Sequence, residues 1–125
     1  TEVILPRMTS DICQVFCDIV DGKQPTITWN EMATLGIVLA SKGYPGSYEK
    51  GYAIEGTEEV DGSIYHMGTA LKDGKYVTSG GRVMIVVCQA PTLREAQQKA
   101  AAEVAKIKCE NLFHRTDIGD KAFKY

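Results

Sequence analysis

The sequence predicts an α+β domain: a curled antiparallel β-sheet with a long covering helix, preceded by one helix that stands apart. Two observations carry this. Apolar residues recur at helical spacing only near the two ends of the 125-residue chain, while the stretch between them consists of short β-rich runs separated by glycines. Asp73-Gly74, between two of those runs, is a hairpin signal, because a two-residue turn that follows the strand twist wants positive φ at its centre.

The elements follow in order. Thr1 to Arg7 is an extended apolar stretch that lacks a start methionine, and it reads as part of a longer polypeptide. Ser10 or Thr9 then caps a helix whose apolar residues Ile12, Val15, Phe16, Ile19 and Val20 lie on one face. Gly22 ends that helix, and Pro25 prevents its continuation. Strands are expected over residues 26–29, 33–40, 52–54, 64–71, 75–78 and 83–90. Thr92-Leu93-Arg94-Glu95 has the capping-box pattern, and Leu93, Ala96, Ala100, Val104 and Ile107 form the stripe of a helix reaching to about Lys108. Alanine dominates the stripe, so the helix can lie close to the sheet. The tail from Glu110 is polar and without periodicity. Helical texture gives way to strand texture between Gly22 and Trp29, which divides the chain into residues 1–28, a helix-bearing remnant of a preceding domain, and residues 29–125.

Composition excludes several functions. With 44% hydrophobic residues the chain can build a core without metal or disulfide staples. Fourteen basic against sixteen acidic side chains, with no basic block, disfavour nucleic acid as a partner. No apolar run is long enough to span a bilayer and no signal peptide opens the chain, so a cytoplasmic protein without a membrane partner is expected. Cys13, Cys17, Cys88 and Cys109 match no zinc-site spacing and sit among apolar neighbours, as small buried hydrophobes in a reducing compartment would.

There is no nucleophile motif, Walker loop, dinucleotide fingerprint or metal-binding histidine pair. The segment Ser41-Lys42-Gly43-Tyr44-Pro45-Gly46-Ser47-Tyr48-Glu49-Lys50-Gly51 stands out after the apolar run 33–40. Pro45-Gly46 suits the centre of a type II turn, with Gly46 supplying positive φ. Its exposed N–H groups, with Ser47, Lys42 and Lys50, suit an anion; a surface hairpin with solvated lysines accounts for the same residues. His66 is either a satisfied half-buried strand residue or a catalyst. Gly80-Gly81 sets Arg82 before an apolar strand, where its guanidinium must pair with a carboxylate or face a ligand. In Arg115-Thr116-Asp117-Ile118-Gly119 the arginine is a second candidate, and Asp117 serves the turn. Tyr44, Tyr48, Tyr52 and Tyr65 read as amphipathic residues packing on the sheet.

Four segments in order, Val38 through Gly51, His66-Met67-Gly68-Thr69, Val77 through Val83, and Arg115 through Gly119, resemble the C-terminal domain of the phosphoribosylamine–glycine ligase family, also called glycinamide ribonucleotide synthetases. Thr1 to Arg7 resembles the stretch that follows the family's R-F-G-D-P-E signature, which supplies a carboxylate to ATP-bound magnesium. Two departures fall in the last motif: His114 stands where tyrosine is usual and Thr116 where a second arginine is common. The resemblance implies an ATP-grasp ligase of purine biosynthesis that joins 5-phosphoribosylamine to glycine, with ATP and Mg2+ (or Mn2+) bound by lobes outside this chain. It implies substrate contacts from Tyr44, Pro45, Gly46, Ser47, Arg82 and Arg115, turn roles for Gly43, Gly80, Gly81, Asp117 and Gly119, and no catalytic or metal-binding residue here. The partners would be the N-terminal and ATP-grasp lobes of the same polypeptide, and the leading helix would come from the ATP-grasp core. A stand-alone noncatalytic domain that binds an anionic metabolite is the competing reading.

Overall fold

The computed structural model describes residues 1–124. Its centre is a four-stranded antiparallel sheet built from β1 (Ala33–Ser41), β2 (Ser63–His66), β5 (Arg82–Ala90) and β6 (Leu112–Phe113), in the order β2-β5-β1-β6. β3 (Thr69–Lys72) and β4 (Lys75–Thr78) form a separate hairpin. The helices are α1 (Ile12–Val20) and α2 (Leu93–Val104), giving the α+β class the sequence predicts.

Strand alternation builds the core. Leu35, Ile37 and Leu39 of β1 and Met84, Val86, Cys88 and Ala90 of β5 cluster with Ala96, Ala100 and Val104 of α2. Ala96 and Ala100 are fully buried, so the small residues do bring α2 down onto the sheet. Thr92 caps α2 by accepting from Glu95 N–H while the Glu95 carboxylate accepts from Thr92 N–H, a complete capping box. On the second face Val3 packs where a Gly36 side chain would project, and Gln89 donates to the Pro6 carbonyl. The register runs from Ala33↔Ala90 to Leu39↔Met84, then slips so that Ala40 pairs with Arg82. The resulting bulge at Val83 bends β5 beside the end of β1, where the candidate motifs gather.

Asp73 and Gly74 take φ of 50° and 76°, the positive pair the hairpin requires. Other expectations need correction. Asp11, not Ser10 or Thr9, caps α1, accepting from Cys13 and Gln14 N–H; the Thr9 and Ser10 hydroxyls are engaged with Thr28 instead. Residues 26–29 form no strand, and Trp29 makes only an isolated bridge to Met8. Residues 52–54 contribute only a bridge from Ala53 to Val77. The run 64–71 divides into β2 and β3, because Met67 and Gly68 N–H both turn to the Val83 carbonyl as the chain leaves one sheet for the other. α2 stops at Val104, since Lys108 is drawn into paired hydrogen bonds with Glu55. The tail supplies an unforeseen edge strand, β6. Cys88 is buried, with its thiol pushed up by desolvation, but Cys13 and Cys17 are exposed on α1, against the expectation for all four cysteines.

Candidate functional site

Three of the four motifs converge at the end of β1. Ser41 is fully buried; its N–H donates to the Gly81 carbonyl at 2.8 Å and its hydroxyl to the Gly80 carbonyl at 2.9 Å. Gly68 accepts from Ser79 and Gly80 N–H at 2.8 and 3.0 Å. A Cβ on Gly68 would stand 2.7 Å from Gly80 Cα and 2.6 Å from the Arg82 carbonyl oxygen, and one on Gly81 would overlap the Tyr44 ring. The loop after β1, the Gly68 corner and the double glycine are therefore one packed unit, and glycine is what lets their backbones touch.

The turn chemistry differs from expectation. Tyr44 N–H closes a turn onto the Ser41 carbonyl at 3.0 Å, and positive φ falls on Gly43 at +98°, the third position of that turn, as a type II turn requires. Gly46 does not take positive φ, so Pro45-Gly46 is not the centre of a type II turn. The turn lies three residues earlier because Ser41, locked to Gly80 and Gly81, offers its carbonyl there.

Around this unit Tyr44 and Tyr48 meet edge to face at 6.3 Å, and Lys50 Nζ lies 5.9 Å from the Tyr48 ring centroid. Buried Asn111 ties the tail to the loop, donating from Nδ2 to the Glu49 carbonyl and accepting from Lys42 N–H. Lys42, Ser47, Tyr48, Glu49 and Asn111 line an open depression of about 350 Å³. Tyr52 donates to the Glu49 carboxylate at 2.5 Å, and that bond holds its phenol above its usual pKa. Arg82 is exposed and, among the described residues, in no direct ion pair, although the Glu2 carboxyl, held below its usual pKa mainly by a backbone hydrogen bond, also feels the Arg82 charge. His66 is exposed rather than half-buried, its Nδ1 2.8 Å from Thr69 Oγ1 and its ring against Tyr76. Of the tyrosines, Tyr48 and Tyr52 are half-buried, whereas Tyr44 and Tyr65 are exposed at 37% each.

The fourth motif is not hydrogen-bonded to this unit. Arg115 grips Asp117 with both arms of its fork, Nε to Oδ1 at 2.8 Å and Nη2 to Oδ2 at 2.5 Å. The bond raises the guanidinium pKa and lowers that of the carboxyl. Gln97 fastens the same turn by donating to the Ile118 carbonyl and to Asp120, and Gly119, at φ +90°, lies against Leu35. Arg115, Lys121 and Lys124 line an open groove of about 430 Å³ beside it. A larger groove of about 570 Å³, between residues 54–59 and the β3–β4 turn, is lined mainly by exposed glutamates and lysines and reaches the motifs only through Tyr76, whose ring lies against His66. Sequence reasoning missed Ser41 and Asn111 as organising residues; a polar residue ending an apolar strand was the available signal for Ser41.

The class defined by these features is an α+β domain of one antiparallel sheet, helix-covered on one face, with a glycine-packed loop cluster at the end of its central strands. A family model described as "Phosphoribosylglycinamide synthetase, C domain" matches residues 34–121, and the chain belongs to that family. It is 51% identical over 124 residues to the phosphoribosylamine–glycine ligase of Halalkalibacterium halodurans, an alignment covering 98% of this chain and 29% of that protein. With the ligase of the same name from Streptococcus pneumoniae strain R6 it shares 45% identity over 127 residues, covering 99% of this chain and 30% of that protein. The crystal structure of phosphoribosylamine–glycine ligase from Thermotoga maritima superposes with a TM-score of 0.76 at 33% identity, over 86% of this chain and 27% of that one. The chain thus spans less than a third of the length of these relatives.

Proposed function

We propose that this chain is the C-terminal portion of an ATP-dependent ligase of purine biosynthesis, which joins 5-phosphoribosylamine to glycine and yields glycinamide ribonucleotide, ADP and phosphate. The observation that carries the proposal is the alignment of nearly the whole chain with phosphoribosylamine–glycine ligases at up to 51% identity. An unactivated carboxylate is a poor acyl donor, so the γ-phosphoryl of ATP is transferred to glycine, and the amine attacks the resulting glycyl phosphate. Both the acyl phosphate and the amine need protection from water, which calls for a cleft closed by several lobes.

In this reading residues 29–125 form one wall of that cleft, and residues 1–28 are the end of the ATP-grasp domain. ATP and Mg2+ (or Mn2+) are held elsewhere in the polypeptide: among the described residues no group of three His, Cys, Asp or Glu side chains is placed to hold a metal ion. Among the described residues no helix is long and apolar enough to cross a membrane. We assign the ligase to the cytoplasm, as the family resemblance implies. The loop Tyr44, Pro45, Gly46, Ser47 with Arg82 positions the anionic substrate, Arg82 offering an exposed fork that, among the described residues, is in no direct ion pair. Arg115 contributes only by exchanging Asp117 for the substrate phosphate.

Steady-state kinetics of the full-length ligase test this. Losing a charge-assisted contact costs roughly 1.5–3 kcal/mol, so Arg82→Ala should raise KM for phosphoribosylamine about ten- to 150-fold and leave KM for ATP and glycine near wild type. Asp117→Asn, which frees the Arg115 fork, should lower the same KM. Unchanged KM values with a lower melting temperature would remove both arginines from the site. A native gene product of this length without ligase activity would favour the stand-alone anion-binding domain.

A further inference from the structure

We propose that Asn111 is a positioning residue for the anionic substrate, its carboxamide holding the loop of residues 44–47 in its binding shape. The proposal rests on the functional reading above, which gives that loop to the substrate. Asn111 is 8% exposed, and a buried amide is costly unless its hydrogen bonds are made. It makes them to both legs of the loop. Its backbone carbonyl accepts from Lys42 N–H at 2.9 Å on the outgoing leg, and its Nδ2 donates to the Glu49 carbonyl at 3.1 Å on the returning leg.

Between the two legs the loop has little other support. Tyr44 N–H closes onto the neighbouring Ser41 carbonyl and the Tyr44 ring lies over Gly81, but among the described residues no more distant group hydrogen-bonds to Tyr44, Pro45, Gly46 or Ser47. The place of these residues is therefore set by how far apart the legs stand at Lys42 and Glu49, and Asn111 spans that gap. Each leg is anchored just beyond it, Ser41 to Gly80 and Gly81, and Gly51 and Tyr52 to buried Thr78. Asn111 also lines the depression of about 350 Å³ with Lys42, Ser47, Tyr48 and Glu49, so its amide stands beside the space that the loop borders.

The tail does not need this amide. It is held to the sheet by the pairing of Leu112 with Ser41 and of Phe113 with Ala40, before them by the paired bonds of Lys108 with Glu55, and after them by Gln97, which donates to the Ile118 carbonyl and to Asp120. The Asn111 backbone carbonyl reaches Lys42 whatever the side chain. What the carboxamide adds is the second leg, and only a donor serves there, because the Glu49 carbonyl can only accept. Aspartate has the same shape as asparagine but offers that carbonyl another acceptor.

Kinetics of the full-length ligase test the proposal with a pair of variants. Asn111→Ala keeps the backbone bond to Lys42 and removes the tie to Glu49, while Asn111→Asp keeps the volume as well and replaces donor by acceptor. Each should raise KM for phosphoribosylamine about three- to tenfold, the loss of one neutral hydrogen bond, with Asn111→Asp losing at least as much as Asn111→Ala. The kcat and the KM for ATP and glycine should stay near wild type, the pattern of one substrate's binding being weakened. Hydrogen exchange of the same proteins, followed by mass spectrometry, should show the bonded amides of Lys42, Tyr44, Gly51 and Tyr52 exchanging faster, with the amides of α2 unchanged. Unchanged KM values with a lower melting temperature would make Asn111 a staple for the tail and overturn the proposal. A rise shared by all the KM values, or faster exchange in α2 as well, would overturn it too, since either means general loosening. Arg82→Ala separates this proposal from the reading beneath it: if that substitution raises KM for phosphoribosylamine and the Asn111 variants do not, only the positioning role fails. A full-length protein that makes no glycinamide ribonucleotide would remove the reading and the substrate role with it, while the exchange data alone would decide whether Asn111 holds the loop.

Discussion

Ser41 and the glycines around it show how single residues set the distance between loops. Gly68 faces backbone, the Gly80 Cα and the Arg82 carbonyl, whereas Gly81 faces a side chain, the ring of Tyr44, which is 37% exposed. The same added methyl should therefore have different consequences. Overpacking costs roughly 1–3 kcal/mol, and we expect Gly68→Ala at or above the top of that range because backbone cannot yield, with Gly81→Ala near the bottom. Urea denaturation of the two variants gives the comparison, and Tyr44→Ala should cancel much of the Gly81→Ala loss, as residues sharing one contact do not add. Equal losses, or a Tyr44→Ala effect that merely adds, would contradict the packing described. The two arginines illustrate what is legible at this scale. Asp117, two residues after Arg115, is a partner that sequence spacing can suggest. What stands near Arg82, with Glu2 eighty residues away in sequence yet within reach of its charge, depends on which segments the fold brings together, and no local pattern records that.

At the scale of elements, the signals that survived were those contained within one element. The capping box at Thr92, the Asp73-Gly74 turn and the alanine stripe each depend on residues a few positions apart, and each is found where the sequence places it. What failed depended on competition between elements: Asp11 caps α1 because Ser10 and Thr9 are taken by Thr28, and α2 ends early because Lys108 pairs with Glu55. α2 also clamps the segment before β2. The buried Glu103 carboxylate accepts from Lys106 Nζ at 2.6 Å and from Asp61 N–H at 2.7 Å, while Lys99 pairs with Asp61 at 3.0 Å. Lys106, and next the Asp61 N–H, hold the Glu103 carboxyl below its ordinary value of 4.5. A carboxyl whose pKa is lower in the folded than in the unfolded chain adds stability that is fully present above the unfolded value and is lost as pH falls through the folded one. Thermal melts should thus change little between neutral pH and about 5 and fall below about 4.5. Asp61 and Asp117 share that direction, so the informative quantity is the difference between the parent and Glu103→Gln. That difference should be largest at neutral pH and shrink on acidification; a deficit independent of pH would show that the clamp works without the Glu103 charge.

For the molecule as a whole, antiparallel pairing of β1 with β5 is what gathers the site. It sets Ser41 beside Gly81 although forty residues separate them, and past the slip at Val83 it pairs Ala40 with Arg82, whose side chain is exposed. The sequence named the motifs without their mutual placement because that placement depends on register, a long-range property carried by alternation over entire strands. It likewise marked α1 as amphipathic, but that Val15 is buried while Phe16 and Val20 are exposed is known only from the fold. The same division of labour leads to the last prediction, which concerns the chain taken alone. Gripping a nucleotide triphosphate takes closely placed phosphate contacts and oxygen ligands for the magnesium that bridges the phosphates. The sequence contains no phosphate-cradling loop, and among the described residues no three acidic, histidine or cysteine side chains are gathered for a metal ion. In the two depressions beside the loop and the tail motif the cations, Lys42 near Ser47 and Arg115 with Lys121 and Lys124, open on shallow surfaces, and in the larger groove Lys75 and Lys108 face Glu55, Glu58 and Glu59 across a lining of mixed charge. Calorimetric titration of the 125-residue chain with Mg-ATP should therefore give only heats of dilution, and the chain should not convert glycine and phosphoribosylamine. A saturable isotherm would mean that this domain binds the nucleotide itself, and the ATP-binding role assigned to the remainder of the ligase would have to move here.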